Sequence, residues 1–502
     1  EAVKRGVMLA GGLPIEFPII SLHESFAFPT SMFLRNLMSI DTEEMIKAQP
    51  MDAVVLIGGC DKTVPALVMG AASANVPAVV EVTGPMLTGT HHGERVGACT
   101  DCRRFWAKYR GGEIDDAEVE ELTNQLVPTA GTCGVMGTAS TMALLTEAMG
   151  MMLPGGGTIP ATFADRQRHA ELTGKRAVAM ATEGLTPKKV ITPAAVRNAL
   201  RVLQAIGGST NGLIHMTAMA GRLGIRVDLD AFDELGRDIP VLVDLKPSGQ
   251  YYMEDLHRAG GLAPILRELR DHLELDTLTV TGRTLGEEID NLPPAYPQDV
   301  VKTVDAPLYP GGGMVILRGN LAPDGAVIKQ SAANPSLLSH EGRALVFSSL
   351  EDMAARVDDP DLDVTPDDVI VLQNAGPLGA PGMPEAGYLP IPKKLAEQGV
   401  KDMVRLSDAR MSGTAFGTII LHVAPESAVG GPLALVETGD WIRLDVPNRS
   451  LEHLVEDAEL ARRREAWTPP SAHAGAERGY LNLYLNRVTQ APDGCDFDFL
   501  MP

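Results

Sequence analysis

The stretch Asp52-Ala53-Val54-Val55-Leu56-Ile57-Gly58-Gly59-Cys60-Asp61-Lys62-Thr63 organises the N-terminal part of this chain. Its first six residues are mostly apolar and β-branched, which predicts a buried strand. Pro65 suits the first turn of a helix that continues to Ala72, and Val79-Val80-Glu81-Val82 predicts a second strand. The pattern is a β-loop-α-β unit whose loop lies at the carboxyl end of a strand, where open α/β sheets bind ligands.

The central loop carries a thiol, a carboxylate and an amine at Cys60, Asp61 and Lys62. Adjacent side chains in a loop can diverge, so one loop is able to serve two metal centres. A thiolate suits iron or zinc, and a carboxylate suits magnesium. The alternative is a buried structural cysteine beside a solvated Asp-Lys pair. A P-loop is disfavoured because it needs glycine directly before Lys-Thr, where Asp61 stands.

Composition narrows the class of protein. The 502 residues are enough for two or three domains, and 45% hydrophobic with 22% charged residues is typical of a soluble globular protein. A formal net charge of −22 argues against a nucleic-acid partner.

No apolar run reaches the roughly 18 residues of a membrane span, and no signal peptide is recognised. Five cysteines form no disulfide framework, which predicts a cytoplasmic location. Because the chain begins at Glu1 without Met, we expect the natural protein to extend further at this end.

The fold class is predicted to be α/β, in two domains. Residues 1–300 alternate strands and helices and predict an N-terminal α/β domain with a mainly parallel sheet, starting with a strand at 17–22. A segment rich in Pro and Gly, near 285–312, marks the boundary. Residues 301–502 predict a C-terminal β-rich domain, with a charged helix over 450–466 and an irregular tail. Its predicted strands lie at 314–317, 326–328, 344–347, 369–372 and 441–444.

Other side chains that could act in catalysis or bind a metal lie on further loops, many of them rich in Gly or Pro: Glu24, Cys133, Glu385, Ser412 and Thr414. Cys133 would lie near the N-terminus of an apolar helix, where the helix dipole favours a thiolate. Cys99 and Cys102 form a competing CxxC pair. That pair is either two free thiols or a redox or zinc-binding element. Spacing alone does not show which of these side chains meet.

Five motifs occur in one order along nearly the whole chain: Gly58-Gly59-Cys60-Asp61-Lys62-Thr63-Val64-Pro65-Ala66, Gly131-Thr132-Cys133-Gly134, Gly207-Gly208-Ser209-Thr210-Asn211, Met383-Pro384-Glu385 and Ser407-Asp408-Ala409-Arg410-Met411-Ser412-Gly413. Together they resemble the iron–sulfur-dependent dihydroxy-acid and sugar-acid dehydratase family. Ser21-Leu22-His23-Glu24-Ser25 and Asp408-Ala409-Arg410 are similar to its pentonate branch, the L-arabinonate and D-xylonate dehydratases. The branched-chain amino-acid enzymes usually carry Asp-Gly at the first place and Asp-Gly-Arg at the second.

The resemblance implies a [2Fe–2S] cluster held by three cysteines. Cys60 and Cys133 match two of them, and we expect their sulfur atoms to lie close together. The third normally lies well upstream of the central loop, yet no cysteine precedes Cys60 in this chain. We expect that ligand to belong to the segment before Glu1.

The resemblance also implies a magnesium ion and a catalytic serine. The matching metal ligands are Glu24, Asp61, Lys62 and Glu385, with Lys62 carried as a carbamate in some members. Ser412 matches the catalytic base and Thr414 its neighbour, and Lys62 is the alternative group for moving the proton. Nearby cations are needed because a serine is too weak a base alone.

The sequence therefore predicts a sugar-acid dehydratase. It would remove water from C2 and C3 of a pentonate, such as L-arabinonate or D-xylonate, to give a 2-keto-3-deoxy acid. The resemblance implies a C-terminal domain of the swivelling type, a site between the domains, and a homodimer or homotetramer. The alternatives are a branched-chain dihydroxy-acid dehydratase, a thiol-redox or zinc protein built on Cys99 and Cys102, and a binding protein that has lost its cluster.

Overall fold

The computed structural model describes residues 1–502 with the exception of the side chain of Ser25. It is a mixed α/β structure with a largely helical N-terminal part and a β-rich C-terminal part. The N-terminal helices are α1 (Ala2–Leu9), α2 (Arg35–Lys47), α3 (Thr63–Ala74), α4 (Thr100–Arg110), α5 (Asp116–Gln125), α6 (Thr138–Ala148), α7 (Ala164–Glu183), α8 (Pro187–Val190), α9 (Pro193–Ala205), α10 (Asn211–Gly221), α11 (Leu229–Arg237), α12 (Met253–Arg258), α13 (Ala263–Glu268) and α14 (Leu285–Asp290). The strands of this part are β1 (Val54–Gly58), β2 (Ala78–Val82), β3 (Gly89–His91) and β4 (Glu94–Val96).

The predicted β-loop-α-β unit is confirmed. β1 and β2 pair in parallel, with Val54 opposite Ala78 and Gly58 opposite Val82, and α3 connects them. The parallel sheet of this part is smaller than predicted. Single bridges join residue 80 to 152 and residue 85 to 132, whereas β3 and β4 form an antiparallel hairpin.

Apolar helices fill most of the N-terminal core. Every residue of α6 is buried, as are the first ten residues of α3 and of α10. Small and apolar side chains predominate in these three helices, which lets them pack on all sides in an interior. Each of the three begins directly after a Gly-rich loop, so their N-termini present the loops of Cys60, Cys133 and Ser209 at one place.

The prediction of a strand at residues 17–22 is wrong. These residues have no regular structure. The backbone N–H of Ile20 donates to Asp41 Oδ2 at 2.8 Å, and Ser21 Oγ lies 2.9 Å from Thr63 Oγ1. Side chains of α2 and α3 therefore hold this segment in place of a neighbouring strand, and it leads into the short 3-10 helix Glu24–Phe26.

The C-terminal part is built on one mixed sheet. Its strands are β5 (Val315–Leu317), β6 (Gly325–Ile328), β7 (Ser339–Phe347), β8 (Val369–Leu372), β9 (Arg405–Ser407), β10 (Ile419–Ala424), β11 (Trp441–Asp445) and β12 (Ser450–His453). Its helices are α15 (Leu350–Arg356), α16 (Lys393–Glu397), α17 (Asp457–Ala466) and α18 (Gly479–Arg487). The strand order is β12-β11-β7-β8-β9-β10-β6-β5. The four central strands are parallel, and the outer pairings are antiparallel.

The end of the chain differs from its prediction. Residues 450–453 form β12, so the charged helix begins only at Asp457, and the tail contains α18. Phe33 packs against two aromatic rings of α18. The tail therefore returns to the N-terminal part. No helix among the described residues is long and apolar enough to cross a membrane.

Candidate active site

Lys62 lies at the centre of the candidate site, in the loop between β1 and α3. Its side chain is 0% exposed. Its Nζ atom lies 2.5 Å from Asp61 Oδ2, 3.2 Å from Glu385 Oε1 and 3.3 Å from Glu24 Oε2. The three acids predicted as metal ligands thus converge on one amine, although Glu385 is 323 positions away in sequence.

Arg410 is the second buried cation of this site and lies on the loop that follows β9. It donates to Glu385 Oε1 at 2.6 Å and to Thr30 Oγ1 at 2.7 Å, and it lies 3.3 Å from Glu24 Oε1. The hydroxyls of Thr30 and Ser31 also donate to the Glu24 carboxylate. Both acids are therefore held in fixed orientations by buried partners.

The two cations keep these acids ionised. Burial raises the pKa of Glu24 and of Glu385, but the charges of Lys62 and Arg410 outweigh it and hold both pKa values below the usual range. Burial likewise lowers the pKa of Lys62, and the surrounding carboxylates raise it above its ordinary value. Opposite charges within about 4–6 Å have this effect on each other.

Three thiols lie next to this charged cluster. The Sγ atoms of Cys99 and Cys133 are 3.7 Å apart. Their hydrogen bond lowers the pKa of Cys99 and raises the pKa of Cys133 well above that of a free thiol. Burial and the Asp61 carboxylate raise the pKa of Cys60 to about 11.

The loops of Cys60 and Cys133 pack against each other. A Cβ atom on Gly59 would lie 3.3 Å from Thr132 Cγ2 and 2.0 Å from Thr83 Oγ1, so only glycine permits this approach. Cys60 is close enough for its charge to raise the pKa of Cys133. The two cysteines predicted to share a cluster therefore lie on adjoining loops.

Ser412 and Thr414 lie on the Arg410 loop, where it meets the N-terminal part. Ser412 Oγ is 2.8 Å from Thr414 Oγ1, and the hydroxyl of Thr100 donates to the Thr414 carbonyl at 2.9 Å. A Cβ atom on Gly413 would lie 2.5 Å from Ser209 Cβ. Glycine at this position allows the hydroxyl pair to approach the N-terminal loops.

A buried polar network connects these loops. Asn211 Nδ2 donates to Glu385 Oε1 and to Thr138 Oγ1, both at 3.1 Å. Thr138 Oγ1 lies 2.8 Å from Ser209 Oγ. Asn211 and Thr138 are the first residues of α10 and α6, so these two helix starts are tied to the carboxylate cluster.

Three residues of the candidate active site are not predicted from the sequence to belong to it: Arg410, Asn211 and Cys99. Arg410 and Asn211 lie inside quoted motifs, but nothing in the sequence shows that they contact the acids. The sequence pairs Cys99 with Cys102, because those two are near neighbours in the chain. The structure instead joins Cys99 to Cys133. Ser25, the last residue of one predicted motif, lies outside the described side chains.

The donor sets fit both groups that the resemblance implies. Glu24, Asp61 and Glu385 already surround a cation, the Lys62 ammonium, and carboxylate oxygens are the ligands that magnesium prefers. Thiolate–metal bonds of about 2.3 Å at a tetrahedral centre would separate two sulfurs by roughly 3.8 Å. The separation of 3.7 Å between Cys133 and Cys99, a cysteine that the resemblance does not imply, is of this size, and Cys60 lies on the adjoining loop.

Comparisons with known proteins agree with this picture. The family model "Dihydroxy-acid/6-phosphogluconate dehydratase N-terminal" matches residues 1–288, and its C-terminal counterpart matches residues 299–495. L-arabonate dehydratase of Azospirillum brasilense is 49% identical over 508 residues, covering 100% of this chain and 87% of the relative. L-arabinonate dehydratase of Rhizobium leguminosarum bv. trifolii is 48% identical over 502 residues, covering 100% and 86%. The 6-deoxy-6-sulfo-D-gluconate dehydratase of Pseudomonas putida is 47% identical over 503 residues, with the same coverage. The chain is therefore a hydro-lyase that belongs to the dihydroxy-acid/6-phosphogluconate dehydratase family.

Proposed function

We propose that this enzyme is a sugar-acid dehydratase that acts on a pentonate and releases a 2-keto-3-deoxy acid. The observation that carries the proposal is the convergence on Lys62 of Glu24, Asp61 and Glu385, beside a thiol cluster and the Ser412–Thr414 hydroxyl pair. Dehydration of a 2,3-dihydroxy acid needs a base at C2, a group that assists departure of the C3 hydroxyl, and positive charge at the carboxylate. In this proposal Ser412, the thiol cluster and the magnesium ligands would serve these three needs in turn.

The substrate class rests on the relatives and on two motifs. Relatives at 47–49% identity are named for polyhydroxylated sugar acids. Of the motif Asp408-Ala409-Arg410, Arg410 contacts the carboxylate cluster, and the Asp408 carboxylate accepts N–H donors from Ala375 and Ser427. Asp408 therefore shapes the loop that carries Arg410, and because both branches have these two residues, the feature of this motif that favours the pentonate branch is Ala409 in place of Gly. A site built for several hydroxyls rejects analogues that lack them, because its polar groups would lose their partners.

Two cofactors would be held by the residues already described. Cys60 and Cys133 would hold a [2Fe–2S] cluster, with Cys99 as a third thiol at the same place, and Glu24, Asp61, Glu385 and a carbamylated Lys62 would hold magnesium. When bound, these groups supply Lewis acidity at the C3 hydroxyl and positive charge at the substrate carboxylate.

The protein's own hydroxyls would move the proton. Ser412 Oγ, acting as the alkoxide, would take the proton from C2 and become a hydroxyl, and Thr414 Oγ1, 2.8 Å away, would donate a hydrogen bond to that alkoxide before the transfer. The positive charge of Arg410, two residues before Ser412 on the same loop, favours an anion at this place. The close contacts of Gly413 with Ser209 and Thr138 restrict the position of the neighbouring serine, which would keep it aligned with a bound substrate.

The division of the chain belongs to the same proposal. We place the domain boundary at residues 300/301, just after residues 289–298, which separate the segments matched by the two family models. The C-terminal domain would be of the swivelling type, and it supplies Glu385, Arg410 and Ser412 to a site whose other residues come from the N-terminal domain. We further propose that the enzyme is a homo-oligomer.

The test is a panel of sugar acids offered to anaerobically purified protein with magnesium. The panel contains L-arabinonate, D-xylonate, D-gluconate, 6-deoxy-6-sulfo-D-gluconate and 2,3-dihydroxyisovalerate, and the measurement is formation of the 2-keto product. We expect the highest kcat/KM for a pentonate and the lowest for dihydroxyisovalerate. A kcat/KM for dihydroxyisovalerate equal to that for the pentonates would support the branched-chain alternative and overturn the proposal.

A further inference from the structure

A second group of metal-ligating side chains lies on the β3–β4 hairpin, apart from the residues of the active site. His91 ends β3, and His92 is the first residue of the turn, with φ of 47°. Glu118 and Glu121 lie one turn apart on α5, which packs against the hairpin through Leu122 and a small apolar cluster. Two elements thus present histidines and glutamates to each other.

His91 is a buried imidazole without a hydrogen bond. Its side chain is 3% exposed, and neither ring nitrogen has a hydrogen-bond partner among the described residues. Nε2 lies 3.6 Å from Glu118 Oε1, and Nδ1 lies 3.8 Å from Glu121 Oε1. These separations are too long for hydrogen bonds. A buried ring with two unpaired nitrogens is costly, which points to a missing partner.

The spacing of the donors suits one ion. One nitrogen each of His91 and His92 and one oxygen of Glu118 all lie within 4.8 Å of one another. Zinc at about 2.0–2.2 Å from tetrahedral nitrogen and oxygen ligands would place those ligands roughly 3.4 Å apart. His92 is exposed and Glu118 is half-buried, so small rotations of both side chains close the remaining gap.

We propose that His91, His92 and Glu118 form a binding site for a divalent transition-metal ion of the zinc class. Two imidazoles and one carboxylate select such ions over magnesium or calcium, which prefer oxygen ligands. Glu121 lies at the other nitrogen of His91, where ligating histidines commonly donate to a carboxylate. The ion clips the hairpin to α5 and leaves a coordination position open to solvent. It takes no part in the dehydration.

The test is a titration of tag-free, cluster-loaded protein with Zn²⁺ in excess Mg²⁺, repeated with Co²⁺ for its visible spectrum. The variants are His92→Ala and Glu118→Gln, because His91→Ala removes a buried ring and risks misfolding. Glu120→Gln is the matched control, since this exposed glutamate is also on α5 but is absent from the histidine contacts.

We expect wild type and Glu120→Gln to bind one equivalent of ion with the same affinity. We expect the two site variants to bind it at least roughly tenfold more weakly, in line with the effect of losing a group that supports a metal site. The difference spectrum between Co²⁺-loaded and Co²⁺-free protein should lack a charge-transfer band of thiolate ligation, and Zn²⁺ should raise the Tm of wild type and of the control but not of the site variants. Equal affinity in all four proteins, a thiolate band, or no bound equivalent would overturn the proposal.

Discussion

The sulfur atoms of Cys99 and Cys133 lie 3.7 Å apart. At this separation, a rotation of each side chain is enough to bring the two sulfurs to bonding distance. A disulfide bond is about 2.05 Å long. The thiol of Cys99, whose pKa the hydrogen bond to Cys133 lowers, is the more reactive member of the pair, because the thiolate is the nucleophile.

We predict that diamide oxidises this pair in cluster-free protein. Two thiols lose two electrons and two protons to the azo reagent and form one disulfide. The oxidised protein should no longer take up iron and sulfide, and peptide mapping should find Cys99 joined to Cys133. Cys99→Ser should resist this inactivation, whereas Cys102→Ser should behave like wild type. Equal sensitivity of the two variants would show that the contact is not the site of oxidation.

Replacement of Glu385 by Gln should impair magnesium activation. Glu385 accepts hydrogen bonds from Lys62, Arg410 and Asn211, and the variant loses the charge that balances two buried cations. We expect the half-saturating magnesium concentration to rise about tenfold or more, with the visible absorbance of the cluster retained. Glu397→Gln, an exposed glutamate of α16, is the control. Unchanged magnesium dependence would remove Glu385 from the ligand set.

Ser412→Ala should lower kcat by about 10²–10⁴-fold while leaving KM nearly unchanged, because the alkoxide is needed only in the transition state. Recovered substrate from D₂O should carry deuterium at C2 with wild type but not with the variant. Thr414→Val should have a smaller effect in the same direction, and Ser336→Ala, at an exposed position, should have none. A Ser412→Ala enzyme with more than about a tenth of wild-type kcat would direct attention to Lys62 as the base.

Glu426 should make stability depend on pH. Burial, with Asp408 nearby, raises its pKa from 4.5 to about 7, although the amide donors of Leu378, Gly379 and Gln490 partly oppose this. Between these two pH values the folded protein keeps a proton that the unfolded chain has released. The free energy of unfolding therefore falls as pH rises through this window and is level above it.

The measurement is urea unfolding at pH 5 and pH 8. Relative to wild type, Glu426→Gln should gain up to about 3 kcal/mol between these pH values, at 1.36 kcal/mol per pKa unit. Burial lowers the pKa of His422 to about 3, which gives an opposite slope, but this residue is present in both proteins and cancels in the difference. Glu465→Gln, at an exposed position, should show no such change. A constant difference between wild type and Glu426→Gln would contradict the prediction.

Local patterns predicted much of this fold and less of its assembly. The apolar run before Gly58 and the helix after Lys62 follow from short-range preferences, and both are confirmed. The segment at 17–22 has the composition of a strand, but no strand lies beside it, since Asp41 and Thr63 bind it instead. Strand pairing is a long-range property that composition does not contain.

The same distinction holds for the site. Glu24, Asp61 and Glu385 could be named because each lies in a recognisable motif, but their convergence on Lys62 depends on how the two parts of the chain dock. Cys99 could not be assigned to Cys133, because a pairing across 34 positions leaves no local signal. Chain proximity favoured Cys102 instead.

Two of the ion pairs that cross between the halves of the chain lie in the candidate active site and run in opposite directions. Lys62 of the N-terminal part lies 3.2 Å from Glu385 of the C-terminal part, and Arg410 of the C-terminal part lies 3.3 Å from Glu24 of the N-terminal part. Each half thus supplies the counter-charge that the other half's acid requires when buried. A chimera that joins one half of this enzyme to the other half of a relative will therefore assemble only if all four charges are inherited together. Recombination between the halves is thus constrained at these four positions, even where the surrounding surfaces differ.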